Sequence, residues 1–281
     1  MELTEQYVHR VSTEGSPASA IEGNVSTFLL EMGRVGGGEE RRDREIVWTV
    51  GGSPIGYHNA VVHLDAGPAR TDALIETWTG ELRDRRLPGS WHVTPSMRPD
   101  DIADRLLARG FADGGDEPAM AADLATARVD VAPPEGFTVA RVRDEAGLDA
   151  YRRVLGNGFG EGPREGDWVA GVFGRIGLGD GVPWRHYVSR VEGEPVGTAS
   201  VLRTGGVAGV FFVSTAPDVR RRGIGTATTR HAMIAARALG CTTAVLGASP
   251  MGEAVYRTLG FEEVFRYRIL EWSPGPPAGE G

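Results

Sequence analysis

The feature that most constrains this chain is a strand-to-helix transition near residue 220. Val207–Ser214 is a mostly β-branched and aromatic run that reads as a strand, broken at Pro217. Behind it, Arg220-Arg221-Arg222-Gly223-Ile224-Gly225-Thr226-Ala227 opens a helical stretch through Leu239. Its apolar positions Ile224, Ala227, Ile234 and Ala238 are expected on one face, and Gly240 is a natural C′ residue. The turn therefore sits at a helix N-terminus, where unpaired N–H groups and the positive end of the dipole hold phosphate oxygens. Glycine there lets a ligand approach the backbone, whereas two glycines in a first turn cost roughly 1 kcal/mol each in helix propensity. A bare Gly-x-Gly is usually only a tight turn. Here Arg220 stands three residues ahead of the first Gly and Tyr256 lies downstream before Leu259-Gly260-Phe261, so the segment reads as an anion site. Dinucleotide binding fits less well, because the third glycine of that fingerprint would fall at Thr228.

The rest of the chain divides around Val131-Ala132-Pro133-Pro134-Glu135-Gly136, giving an expected boundary between residues 1–132 and 133–272. In the first part, Val25–Met32, Ile46–Val50 and Tyr57–Leu64 read as strands, with residues 36–44 a loop or hairpin tip too charged to bury. Helices are expected from Thr71 or Asp72 to about Arg86 and over Asp100–Arg109. In the second, the strand Phe137–Val142 precedes helices over Asp144–Leu155 and Trp168–Ile176. His186–Val191 and Val196–Arg203 flank a glycine turn as a hairpin, and Thr243–Leu246, Gly252–Leu259 and Phe265–Glu271 read as strand, short helix and strand. The tail 273–281, SPGPPAGEG, reads as disordered.

Composition removes several chemistries. With 281 residues the chain has room for two domains, and all 30 basic residues are Arg. Without Lys there is no Walker A lysine and no Schiff base. The single Cys241 cannot form an internal disulfide or a Cys-rich zinc site, and the six His show no metal spacing, so no metal is expected. Net charge is 30 − 38 = −8, which argues against a nucleic-acid partner. Residues 1–135 carry 13 Arg against 23 acidic groups (−10) and residues 136–281 carry 17 against 15 (+2), so any polyanion site is expected in the second part. No export signal or long apolar span is visible, which predicts a cytoplasmic protein with no membrane partner.

Two motifs in sequence carry a family resemblance. Arg220-x-x-Gly223-x-Gly225, preceded by Val213-Ser214-Thr215-Ala216-Pro217, resembles the cofactor motif of the GCN5-related N-acetyltransferase (GNAT) superfamily. Ala248–Phe261, ending in Tyr256-x-x-Leu259-Gly260-Phe261, is similar to the motif that closes its fold. The strong match spans about residues 137–272, and the first part looks like a weaker copy without the glycine turn, as in tandem acetyltransferases. The resemblance implies an α/β protein of two GNAT-like mixed α/β domains, each a twisted, mostly antiparallel sheet flanked by helices. It implies acetyl-CoA as cosubstrate, with the diphosphate on the amides of Arg221, Arg222, Gly223, Ile224, Gly225 and Thr226. It further implies pantetheine pairing along Val213, Ser214 and Thr215, the acetyl carbonyl near the Thr215 amide, and Ser249 where relatives often place an Asn. No CoA is expected in the first part, whose duty would be to wall the substrate cleft or mediate assembly.

Acyl transfer to an amine needs a neutral nucleophile, a stabilised oxyanion and a protonated leaving thiol. Tyr256 is the candidate acid. The strands 207–213 and 243–247 carry no carboxylate, so Glu161, Asp167, His186, Glu194 or a water relay remain open as the base. The expected acceptor is the primary amine of a small molecule or peptide, and the expected assembly a monomer or homodimer. A non-catalytic acyl-CoA-binding scaffold and a tandem thiol-biosynthesis enzyme similar to mycothiol synthase are the alternatives.

Overall fold

A computed structural model describes residues 15–275; the N-terminal stretch read for an export signal and the tail beyond Gly275 lie outside them. In chain order the elements are α1 (Pro17–Val35), β1 (Glu39–Arg42), β2 (Ile46–Val50), β3 (Ala60–Leu64), α2 (Pro68–Arg85), β4 (Gly89–Val93), α3 (Ile102–Leu107) and β5 (Ala112–Asp123). There follow β6 (Phe137–Arg141), α4 (Glu145–Gly158), α5 (Pro163–Ile176), β7 (Trp184–Val191), β8 (Glu194–Thr204) and β9 (Val207–Thr215). The last are α6 (Ile224–Ala238), β10 (Thr243–Gly247), α7 (Glu253–Thr258) and β11 (Glu262–Trp272).

The described residues form two compact units: residues 15–28 with Pro118–Phe265, and Leu29–Glu117 with residues 266–275. A single cut near residue 132 does not reproduce them, because β5 and β11 each begin in one unit and end in the other.

In the first unit β6, β7, β8 and β9 form an antiparallel series, β10 joins β9 in parallel, and Ala119–Asp123 of β5 pairs antiparallel with β10. One sheet face packs on α6 and α7 through Val201, Ala208, Val210, Ala232, Met233, Ala236, Leu259 and Phe261. The other carries α4 and α5 over an aromatic cluster in which Phe173 meets Tyr151, Trp184 and Phe212 at centroid distances of 5.9, 5.2 and 5.7 Å. Asp144 caps α4 by accepting the Gly147 N–H at 2.8 Å. The same helix runs on through Gly158, past its expected end at Leu155.

In the second unit β1, β2 and β3 are antiparallel, β4 joins β3 in parallel, and β11 pairs antiparallel with β4. Trp78, Trp91, Leu74, Leu82, Phe111 and Leu270 fill its core. The order strand, helix, strand, short helix, strand over β3–β5 repeats that over β9–β11, with the first two strands parallel each time.

Several expectations are corrected. Val25–Met32 is the middle of helix α1 and no strand: Ile21, Val25, Phe28 and Met32 recur at helical spacing, and Leu29 and Leu30 are buried as well. Helices α2 and α5 begin at Pro68 and Pro163, several residues earlier than expected, each with proline in the first turn where a missing N–H costs nothing. The charged stretch at Glu39–Arg42 is a strand after all, partly exposed and paired with β2. On α6, Ile224 and Ala227 are buried as expected, but Ile234 is 39% exposed and the inward positions further along are Ala232, Met233 and Ala236.

The aromatic face also encloses a polar chain. His186 Nδ1 lies 2.8 Å from Ser200 Oγ, which lies 2.7 Å from the Tyr151 hydroxyl, and the imidazole stacks on Phe173 at 3.8 Å. Burial, reinforced by Arg141 and Arg185, pulls the His186 pKa from 6.5 down to about 3. The folded value lies below the unfolded one, so the stability linked to this neutral imidazole is complete above pH 6.5 and is lost as pH falls toward 3. Thermal melts from pH 7 to 4 are expected to show a steep fall in Tm for the wild type and a shallower one for His186→Gln.

Candidate functional site

The site begins where two parallel strands part. Strands β9 and β10 pair only over Val207–Gly209 and Thr243–Val245, after which β10 continues against β5 to Gly247 while β9 runs on to Thr215. The β10-facing backbone groups of the last β9 residues therefore have no ladder partner there.

Within the same stretch β9 bulges. Thr198 of β8 pairs with Ser214 and Ser200 with Phe211, so Phe212 and Val213 together oppose Ala199. Phe212 adopts φ 52°, an uncommon conformation for an aromatic residue, held by a 2.8 Å hydrogen bond from Thr198 Oγ1 to its carbonyl. Its ring sits against Phe28, Phe159 and Phe173 at 5.6–5.7 Å. Ser214, the next inward residue, is 3% exposed and its hydroxyl has no hydrogen-bond partner. The end of α4 lies against it: a Cβ on Gly158 would come within 2.7 Å of Ser214 Oγ and 2.8 Å of the Thr215 carbonyl oxygen.

The turn after β9 is fixed by Arg220. Its guanidinium donates to the carbonyls of Thr215 at 3.2 Å and Gly158 at 2.9 Å, so this side chain ties the strand end to α4. Arg221 and Gly223 both have positive φ, 61° and 76°, and their alternation with Arg222 turns the backbone into α6. The first helical bond, Ala227 N–H to Gly223 O at 3.0 Å, leaves the N–H groups of Gly223, Ile224, Gly225 and Thr226 without intrahelical acceptors. No side chain caps them. Arg221 and Arg222 are exposed, and among the described residues neither is ion-paired.

Gly225 is informative because the fold does not require it. Its φ is not left-handed, and a Cβ would only touch Thr215 Oγ1 at 3.4 Å, an ordinary contact. Gly225 stands in the first turn among the amides without intrahelical acceptors, so these residues fit a phosphate-bearing group drawn close to the backbone.

Tyr256 stands on α7, behind β10. It is 8% exposed, its ring contacts Phe261 at 5.9 Å, and burial pushes its pKa up to about 12. Ser249 is exposed, and its carbonyl accepts the Gly252 and Glu253 N–H groups that start α7. Of the candidate bases, His186 is the buried imidazole described above, Asp167 is paired with Arg152 at 2.8 Å, Glu194 begins β8 at the hairpin turn, and Glu161 is exposed on the loop between α4 and α5. Of the four only His186 is buried near the β9 bulge, bonded to Ser200 and stacked on the same Phe173 that packs against Phe212, and its lowered pKa keeps it neutral. Among the described residues no group of three or more His, Cys, Asp or Glu could hold a metal, and no helix is long and apolar enough to cross a membrane.

Sequence reasoning missed the bulge at Phe212 and the part played by Gly158. Only the glycines of Gly156-Asn157-Gly158 hinted at a close approach; the bulge falls within the apolar run Val210–Val213, which has no Gly or Pro to mark it.

Residues 183–263 match the family model of the acetyltransferase (GNAT) domain. Among solved structures, the fold is similar to a GCN5-related N-acetyltransferase from Kribbella flavida, with TM-score 0.67, 19% identity, and 89% of this chain and 95% of that one covered. A GCN5-related N-acetyltransferase from Sphaerobacter thermophilus aligns with TM-score 0.62, 19% identity, and 93% and 95% covered. A tandem GNAT protein from the clavulanic acid biosynthesis pathway aligns with TM-score 0.55, 18% identity, and 85% and 79% covered. No curated protein sequence matches.

The two glycines of the turn should respond oppositely to alanine. Gly225→Ala is expected to leave the fold intact and raise stability by about 0.5–1 kcal/mol through helix propensity. Gly223→Ala, forced into left-handed φ, is expected to lose about 1–2 kcal/mol. Denaturant melts of both variants check this.

Proposed function

Residues 183–263 match the GNAT acetyltransferase domain model, and on that premise we propose that the protein is an acetyl-CoA-dependent N-acetyltransferase acting on a primary amine of a small molecule or peptide. The observation that carries the reading is Gly225, a helix-weakening residue with no steric or conformational need in the fold, set over four unsatisfied amides at the end of a parted strand.

In this reading the amides from Arg221 to Thr226 hold the diphosphate, and exposed Arg221 and Arg222 add charge. Arg220 acts indirectly, by fixing the turn through Thr215 and Gly158. The unpaired edge at Val213, Ser214 and Thr215 binds pantetheine by main-chain hydrogen bonds, and an amide near Thr215 faces the acyl carbonyl. Ser249 offers a hydroxyl at the opposite lip. Acetyl-CoA, when bound, supplies the acyl group and a sulfur that must take up negative charge as that group leaves.

Tyr256 holds a proton for that sulfur. With its pKa near 12 against an ordinary thiol near ~8.5, complete transfer is uphill by about 5 kcal/mol. The phenol therefore acts chiefly as a hydrogen-bond donor and stays protonated through the working pH range. The absence of a carboxylate from β9 and β10 favours one other reading, a protein that binds acyl-CoA without turning it over.

In the second unit, the helix turn corresponding to Arg220–Gly225 runs from Asp65 to Pro68: an acidic residue follows the strand, and Pro68, in the first turn of α2, lacks an N–H. That supports one cofactor site in the chain and counts against a thiol-biosynthesis enzyme with two.

Calorimetry is expected to show coenzyme A binding to the wild type and none to Gly225→Glu; equal binding by both would overturn the assignment. Release of free CoA in the presence of an amine panel separates catalysis from mere binding. Tyr256→Phe is expected to lower kcat at saturating acetyl-CoA by about tenfold or more with little change in KM. An unchanged kcat removes Tyr256 from the mechanism.

A further inference from the structure

A second cationic cluster lies at the other end of the β7–β8–β9 strands. Arg185 pairs with Val201 and Val201 with Val210, five positions before Thr215, so the cluster is about 15 Å from the parted strand end along β9 alone. Here Arg141 of β6, Arg143 just beyond it and Arg185 of β7 converge on one carboxylate, Asp180, in the loop between α5 and β7. Arg141 and Arg143 bond it directly, the latter at 3.3 Å, and Arg185 stands at 3.9 Å.

The cluster is short of negative charge. Among the described residues Asp180 is the sole carboxylate paired with any of the three, leaving +3 − 1 = +2. Arg141 and Arg185 are largely buried, with side chains 14% and 11% exposed, so solvent screens this excess poorly. Backbone oxygens of Leu178, Gly179, Asp180, Val182 and Trp184 take up terminal guanidinium hydrogens, and carbonyl dipoles do not neutralise the charge. Arg141 Nε is buried with no acceptor at all. Arg143 is 59% exposed and offers its remaining donors outward. Burial and the neighbouring arginines press Arg185 toward losing its proton, the direction expected where a counter-ion is wanting.

We propose that Arg141, Arg143 and Arg185 form a binding site for a small dianion of the phosphate or phosphate-monoester class, separate from the turn at Arg220–Gly225. A dianion brings the cluster to neutrality, and it competes with Asp180 for Arg143 and Arg185. The proposal does not depend on the acetyltransferase reading, because none of its residues takes part in that site.

Titration of the full chain with inorganic phosphate, followed by calorimetry in chloride buffer at low ionic strength, tests it. Saturable binding is expected in Gly225→Glu as in wild type, weakened about tenfold by Arg143→Ala and strengthened by Asp180→Asn, which removes the competing carboxylate. Succinate, a dicarboxylate of the same charge, is expected to bind more weakly than phosphate. Absence of saturable binding up to 10 mM phosphate ( places ~10 mM at about −3 kcal/mol) overturns the proposal. So does binding that is abolished by Gly225→Glu, or that ignores both Arg143→Ala and Asp180→Asn.

Discussion

The parting of β9 from β10 is the constraint on which the rest depends. Two parallel strands that stay paired bury their ladder groups; two that separate after three residue pairs leave main-chain donors and acceptors facing a gap. Such groups are costly unless water or a ligand meets them. Everything around the gap is arranged to keep it open: β10 is held on its far side by β5, and β9 is held on its other edge by β8 through a bulge. The turn beyond is pinned by Arg220 to the end of α4. A ligand with an extended polar arm and a phosphate head matches this series of backbone groups in order.

Strain and satisfaction are distributed unevenly along this edge. Phe212 takes a left-handed conformation that an L-aromatic residue avoids, and its ring is compensated by three aromatic neighbours. Ser214 keeps a buried hydroxyl without a partner. Gly225 weakens a helix that would be more stable with alanine. Tyr151, Ser200 and His186 a strand away bond one another at 2.7–2.8 Å, although His186 Nε2 is buried without a partner. Three departures from local optimum thus lie where the β9 end, the α4 end and the α6 turn meet, as is common where a chain binds or reacts.

Much of this was readable from residues. The glycine turn, the strand before it and the helix behind it are local features, though Gly223 at φ 76° meets a conformational need where the sequence alone suggests room for ligand approach. The hairpin of β7 and β8 followed from a glycine turn between two apolar runs. Val25–Met32 was misread because so short an apolar run serves helix and strand equally, and the helical spacing shows only when Ile21 ahead of it is counted. The first turns of α2 and α5 were missed because Pro68 and Pro163 were not read as helix openers. The inward face of α6 was half misjudged, since Ile234 looks like core by type and is placed outward by the helix's rotation against the sheet.

What the sequence determined by itself was local: turn chemistry, helix limits near glycine, the absence of lysine, and two spaced motifs that resemble one family. What only the tertiary structure decided was which backbone groups remain unpaired. The bulge at Phe212 exists because β8 and β9 differ by one residue over the same span, a property of their register and not of either strand. Likewise Arg220 reaches Gly158 across 62 residues, and three arginines gather on Asp180 from β6, β7 and a loop. Spacing along a chain fixes periodicity and turns, whereas the meeting of distant segments depends on how the whole sheet is assembled and packed.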